Sequence, residues 1–178
     1  MTTSAPGRKV LPKGRFRYMP TKSHARQIIE GLKSQGATVS VAESLTGGGV
    51  GFALTQVPGS SEVFFGGVIS YTSDVKVREL GVLQSTIDEF SVVSEEVARE
   101  MAQGAMKKFG TTWAIATTGI AGPGDYKGIR EGTVWIAICG PVNQTLHLTL
   151  DSGRDGVRQG AISSAIGTFA RILSSQGK

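Results

Sequence analysis

The stretch Thr38-Val39-Ser40-Val41-Ala42-Glu43-Ser44-Leu45-Thr46-Gly47-Gly48-Gly49 runs an apolar strand directly into a glycine-rich turn. Beyond it, Val50, Phe52, Ala53, Leu54 and Val57 recur at helical spacing, so the chain reads strand, turn, helix with Ser44 at the junction. The first N–H groups of a helix lack intrahelical partners and the helix dipole favours negative charge there. An oxyanion or a phosphate beside a serine nucleophile would be stabilised at such a junction. Three successive glycines let ligand atoms approach the backbone. The plainer reading of the same residues is that Ser44 or Thr46 caps the helix.

Working outward, residues 23–35 suit a first helix, with Ile28, Ile29 and Leu32 on one face and Gly36 as its stop. After the break Pro58-Gly59-Ser60-Ser61, residues 64–70 read as a second strand leading to Tyr71. Residues 74–80 form a short helix closed by Gly81. Ser94 caps a stronger one, with Glu95 and Glu96 in its first turn, Lys107 and Lys108 in its last, and Gly110 beyond it. Residues 113–117 are a short apolar strand, 119–132 a glycine-rich loop and 133–139 a buried strand. Residues 144–150 alternate, with His147 on the face opposite Leu146, Leu148 and Leu150 and therefore exposed. A last helix spans about residues 154–173. Interleaved helices and about five strands imply an α/β layered domain, and adjacent strands after Gly110 require an antiparallel pair, hence a mixed sheet.

The 178 residues suit one domain with an unstapled core. The net charge of +5 is local: six of the 19 cations lie between Arg8 and Lys22 with no acid before Glu30, leaving 13 cations against 14 acids. Residues 1–22 are expected to be a disordered basic tail and 23–178 a near-neutral body, which argues against a nucleic-acid groove. Cys139 is the sole cysteine, set in an apolar run as a small core residue, so neither a disulfide nor a cysteine metal cluster is available. No stretch is apolar enough for a secretory signal or a membrane span. The Arg-rich start faintly suggests an organellar transit peptide, but its prolines and glycines oppose the required amphipathic helix, and a cytoplasmic location is expected.

His24 and His147 lie far apart without a carboxylate at ligand spacing, so no metal site is expected, and a Ser-His-Asp triad has no evident histidine. Gly119-Ile120-Ala121-Gly122-Pro123-Gly124 superficially matches a dinucleotide fingerprint. It leads into a loop and a strand instead of a helix, which leaves at most an anion-binding nest of backbone N–H groups. No bound cofactor is expected. Without histidine, a serine nucleophile needs another base, and a buried lysine can serve. Lys76 follows the second strand, which, if parallel to the Ser44 strand, ends at the same sheet edge. Bringing a lysine from about 10.4 to about 7.5 requires roughly 4 kcal/mol, and so a sheltered pocket. On spacing alone Lys76 reads more readily as one more solvated helix lysine.

The motifs VAESLTGG (41–48), PGSSEVFFGGVISYTSDVKVRELGV (58–82), VVSEEVAREMAQGA (92–105), TTGIAGPG (117–124) and EGTVWIAI (131–138) resemble, in order, the CinA C-terminal domain family of nicotinamide-nucleotide amidases. The resemblance covers about residues 27–169. It implies a three-layer α/β/α sandwich with a mixed sheet, a cytoplasmic homodimer, and hydrolysis of the carboxamide of nicotinamide mononucleotide to nicotinate mononucleotide and ammonia. Carried over by motif, the family's serine falls on Ser44, its lysine on Lys76 and its tyrosine on Tyr71, a Ser/Lys hydrolase site in which Tyr71 positions the lysine or relays a proton. Backbone N–H groups of Thr46, Gly47 and Gly48 are then expected at the oxyanion. Gly119, Ile120, Ala121, Gly122 and Arg154 are expected at ribose and phosphate, Arg154 because a guanidinium pairs two oxygens.

Three departures stand out. Leu45 replaces the family's common cysteine, the loop 124–131 lacks the usual glycine-rich, Lys-Pro form, and the N-terminal pyrophosphatase-like domain of many relatives is replaced by the basic tail, so that activity is expected to be absent. The alternative reading is a non-catalytic nucleotide-binding or competence-related module that keeps the fold without turnover.

Overall fold

A computed structural model describes residues 20–176. The elements are α1 (Pro20–Gln35), β1 (Val39–Glu43), α2 (Gly49–Thr55), β2 (Phe64–Ile69), α3 (Ser73–Leu80), α4 (Gln84–Phe90), α5 (Glu95–Phe109), β3 (Trp113–Gly119), β4 (Thr133–Cys139), β5 (Gln144–Thr149) and α6 (Gly153–Gln176). The sheet order is β2-β1-β3-β4-β5. β1 lies parallel to both β2 and β3, whereas β3–β4 and β4–β5 are antiparallel, so the mixed sheet expected from the sequence is present.

Alternation along the strands sorts side chains by size onto two faces. Val39, Val41, Trp113, Ile115, Val134, Ile136 and Ile138 fill one face and pack with α1, α2 and α6. Ala42, Ala114, Ala116, Ala137 and Cys139 form the other, a row of short side chains against which α5 lies with Ala98, Met101, Ala102 and Ala105. Buried Cys139 belongs to that row and is a core residue. The result is a helix layer on each side of one sheet. α5 also meets α3 closely, because a Cβ on Gly104 would strike the carbonyl of Leu80.

Boundaries follow expectation with two differences. α1 starts at Pro20 instead of Ser23, since a proline is tolerated at a first helical position where its missing N–H is not needed. Thr21 is buried against α6, within hydrogen-bond distance of the Ser163 hydroxyl at 3.3 Å, so residues 20–22 belong to the folded body. The remainder of the proposed tail, and the transit-peptide reading, lie outside the described residues. α4 was not anticipated: Leu83 at its start offers no capping side chain, and only Thr86 and Ile87 are buried. No described helix is long and apolar enough to cross a membrane, and no described group of three His, Cys, Asp or Glu side chains could hold a metal. His147 is exposed and stacks on Trp135 at 4.5 Å between centroids.

Candidate active site

Parallel pairing is what assembles the site. Glu43 at the end of β1 is in register with Ile69 at the end of β2 and with Thr117 near the end of β3, so Ser44, Ser70, Tyr71 and Thr118 emerge at one sheet edge. Ser44 N–H is fixed by the Thr117 carbonyl (2.9 Å), and Ser70 N–H by the Glu43 carbonyl (2.8 Å). Thr72 then caps α3, its hydroxyl accepting from Val75 N–H (3.4 Å), and α3 carries Lys76 back over the edge.

Lys76 is only 2% exposed and Ser44 only 7%. Nζ of Lys76 donates to Ser44 Oγ at 3.0 Å and to the Ser70 carbonyl at 2.6 Å. None of the ion pairs among the described residues involves Lys76. Burial without a neutralising carboxylate disfavours the ammonium and lowers the pKa from 10.5 to about 8. Ser44 and Lys76 open onto a cavity of about 500 Å³, walled by Leu45, Tyr71, Val92, Val93 and residues 118–126, with Arg154 at its rim. That size is ordinary for a small-molecule site.

Tyr71, Gly119, Ile120, Ala121, Gly122 and Arg154 all line this cavity. Their contacts differ from the expected ones in part. Tyr71 is largely exposed and its hydroxyl accepts from Arg154 Nη2 (3.1 Å); no hydrogen bond joins it to Lys76 among the described residues. Arg154 Nη1 donates to the Gly122 carbonyl (2.7 Å), so the guanidinium ties Tyr71 to the 119–124 loop across the rim. Gly119 is required by packing, since a Cβ there would press on the Thr133 carbonyl at 2.6 Å.

The expected oxyanion amides need correction. Thr46, Gly47 and Gly48 are not in the cavity lining. Thr46 is fully buried with its hydroxyl 2.7 Å from that of Thr117, and Gly47 N–H donates to the Ser44 carbonyl (3.1 Å). Gly48 N–H donates to Glu43, whose carboxylate also accepts from Val50 (3.0 Å) and Gly51 (2.8 Å). The helix N-terminus read as an anion site thus already holds the chain's own buried carboxylate, and neither Ser44 nor Thr46 caps α2, whose N-cap is Gly48. Among the described residues, Leu45 and Thr46 N–H have no hydrogen-bond partner. Leu45 lies in the lining directly after the serine, the place where an oxyanion donor is needed.

Sequence reasoning missed two contributors. Glu43 reads as one more polar strand residue until the turn folds its carboxylate back under Gly48. Arg158 reads as a surface residue of α6, yet its Nε donates to the Leu45 carbonyl (3.0 Å) and its Nη2 to the Thr46 carbonyl (3.2 Å).

A model of the CinA C-terminal domain matches residues 21–173. A CinA-like protein of Synechocystis is 44% identical over 151 residues, 81% of this chain and 36% of that protein. The chain therefore spans about a third of the length of such curated relatives. Among solved structures, the competence/damage inducible protein CihA from Agrobacterium tumefaciens superposes with a TM-score of 0.79 at 35% identity, over 89% of this chain and 96% of its own. The competence or damage-inducible protein from Enterobacter asburiae gives 0.84 at 26% identity, over 86% and 98%.

Proposed function

Because this chain belongs to the CinA C-terminal domain family, we propose that it hydrolyses the carboxamide of nicotinamide mononucleotide to nicotinate mononucleotide and ammonia. The observation that carries this reading is the buried Lys76 amine, without an acid partner among the described residues, 3.0 Å from Ser44 Oγ in a small-molecule cavity. With its pKa near 8, a substantial fraction of Lys76 is neutral at slightly alkaline pH. The Ser70 carbonyl holds one N–H of that neutral amine, leaving its lone pair for the Ser44 proton.

In the proposed reaction, Ser44 Oγ attacks the carboxamide carbon as its proton passes to Lys76, and the carbonyl electron pair moves onto oxygen beside the Leu45 amide. The oxyanion collapses, the C–N bond breaks, and Lys76 returns the proton to the departing nitrogen as ammonia. Water then attacks the ester with Lys76 as base, releasing the carboxylate and restoring Ser44. Arg154, at the rim and exposed, is the proposed phosphate ligand, with residues 119–122 near the ribose. Tyr71 holds Arg154 in this scheme and does not relay the proton. Cytoplasmic location and a homodimer belong to the same proposal.

Ammonia release from nicotinamide mononucleotide tests it. The parent should release one equivalent with nicotinate mononucleotide as co-product, while Ser44→Ala should release none yet still bind substrate. A folded parent that binds the nucleotide without turnover would favour the non-catalytic module instead.

A further inference from the structure

Arg158 lies one turn beyond Arg154 on α6, outside the cavity lining, and holds the two carbonyls that follow Ser44. A trans peptide points its N–H opposite its carbonyl. With the Leu45 carbonyl on Arg158, the Thr46 N–H of that peptide faces away from the guanidinium. With the Thr46 carbonyl also on Arg158, the Gly47 N–H is directed to the Ser44 carbonyl, which it meets at 3.1 Å. That bond turns the Ser44–Leu45 peptide so that Leu45 N–H points the opposite way. The guanidinium thereby holds two consecutive carbonyls, the second shared with Gly49 N–H (3.1 Å), and through the Gly47–Ser44 bond it bears on a third peptide plane.

Glu43 completes the arrangement from the other side by engaging the amides of Gly48, Val50 and Gly51. The amides left over after both clamps are those of Leu45 and Thr46. We propose that Arg158 is the positioning residue of the oxyanion site, orienting the Leu45 amide, the one of the two in the cavity lining, through the peptide planes that follow it and without touching substrate. The proposal rests on the Ser/Lys reading of the site. A planar fork suits the task because two of its N–H groups reach neighbouring carbonyls at once, which a lysine ammonium does less well.

The test uses p-nitrophenyl acetate on the full chain, so that no pyridine nucleotide is required. Attack by Ser44 Oγ forms the acetyl ester and breaks the bond to p-nitrophenolate, and the first turnover reads acylation alone. Arg158→Met should slow acylation about 100-fold per folded molecule, the scale of losing an oxyanion donor. Arg158→Lys should recover part of that loss. In both variants the pH midpoint of acylation should stay where the parent's lies, because Lys76 is untouched, and a purely structural role would instead lower Tm and leave the rate per folded molecule unmoved. Acylation of Arg158→Met within about threefold of the parent would overturn the proposal, as would a shifted midpoint that accounts for the whole loss. Should Arg158→Met fail to fold, Arg158→Lys decides, and a rate equal to the parent's rejects the positioning role. A parent acylated on Ser44 by the ester, yet unable to release ammonia from the nucleotide, would remove the amidase reading and leave Arg158's role standing. A parent never acylated at Ser44 would overturn both.

Discussion

At neutral pH an ammonium on Lys76 is 2% exposed and has no carboxylate partner among the described residues, so folding carries its desolvation as a cost. A fall from 10.5 to about 8 corresponds to about 3 kcal/mol of differential interaction. Because the folded pKa lies below the unfolded one, the penalty is full below about 8 and fades as pH rises through 10.5. Lys76→Met keeps most of the aliphatic stem and removes the charge. It should be inactive, and more stable than the parent in urea melts at pH 7, with the gain shrinking toward pH 10. Parent activity should climb through pH 8 and level off above it. A less stable variant with a flat parent profile would mean that Lys76 stays charged and acts by electrostatics alone. The distance between Ser44 and Lys76, 32 positions in sequence, is closed by the parallel β1–β2 pair and the short turn into α3, which is why spacing alone favours a surface lysine at position 76.

Among the elements, α2 shows how a local motif changes meaning once the backbone folds. Its glycine-rich N-terminus has the composition of an anion site, and the anion turns out to be Glu43, five residues upstream of Gly48. Replacing it by glutamine keeps one acceptor oxygen and puts an amide NH2 where the other accepted N–H groups. At least one buried donor then loses its partner, and Glu43→Gln should cost at least about 2 kcal/mol, measured by chemical denaturation. α5 gives a second case in which a general propensity fails. Alanine for glycine inside a helix ordinarily gains up to about 1 kcal/mol. At Gly104 the added methyl meets the Leu80 backbone, which cannot swing aside as a side chain would, and overpacking at about 1–3 kcal/mol should win. Gly104→Ala is therefore expected to destabilise, with a lower urea midpoint as the readout. The strands and the capped helices α3 and α5 were legible because periodicity and caps are local. α4 was not, having neither a capping side chain nor more than two buried positions. Glu43 and Arg158 were illegible as site components since their partners are backbone groups, which no residue type advertises.

Across the whole molecule, the sheet edge that carries the candidate site combines strand ends of two kinds. β1, β2 and β3 deliver their C-terminal ends there, while antiparallel β4 begins there, so the segment joining β3 to β4 leaves and rejoins the sheet at the same place. Its stem is closed by Ile120 N–H to the Thr133 carbonyl (2.9 Å) and Gly132 N–H to the Ile120 carbonyl (2.7 Å). Within it, Glu131 accepts from Gly124 N–H (2.6 Å), Asp125 accepts from Glu131 N–H (2.9 Å), and Tyr126 and Ile129 exchange backbone bonds. Most of its bracing is therefore internal, with the Arg154 bond to Gly122 as the tie to the rim. Tyr126 reaches the cavity from this segment. Exchanging residues 123–131 for those of a relative should shift KM for nicotinamide mononucleotide while leaving Tm within a few degrees, and a collapse of Tm would show that the segment supports the core. On the proposed function, a chassis of this kind would separate two evolutionary problems: the sheet edge would preserve the bond-breaking machinery, and a largely self-braced cassette at its border would let the choice of molecule drift by mutation without putting foldability at stake.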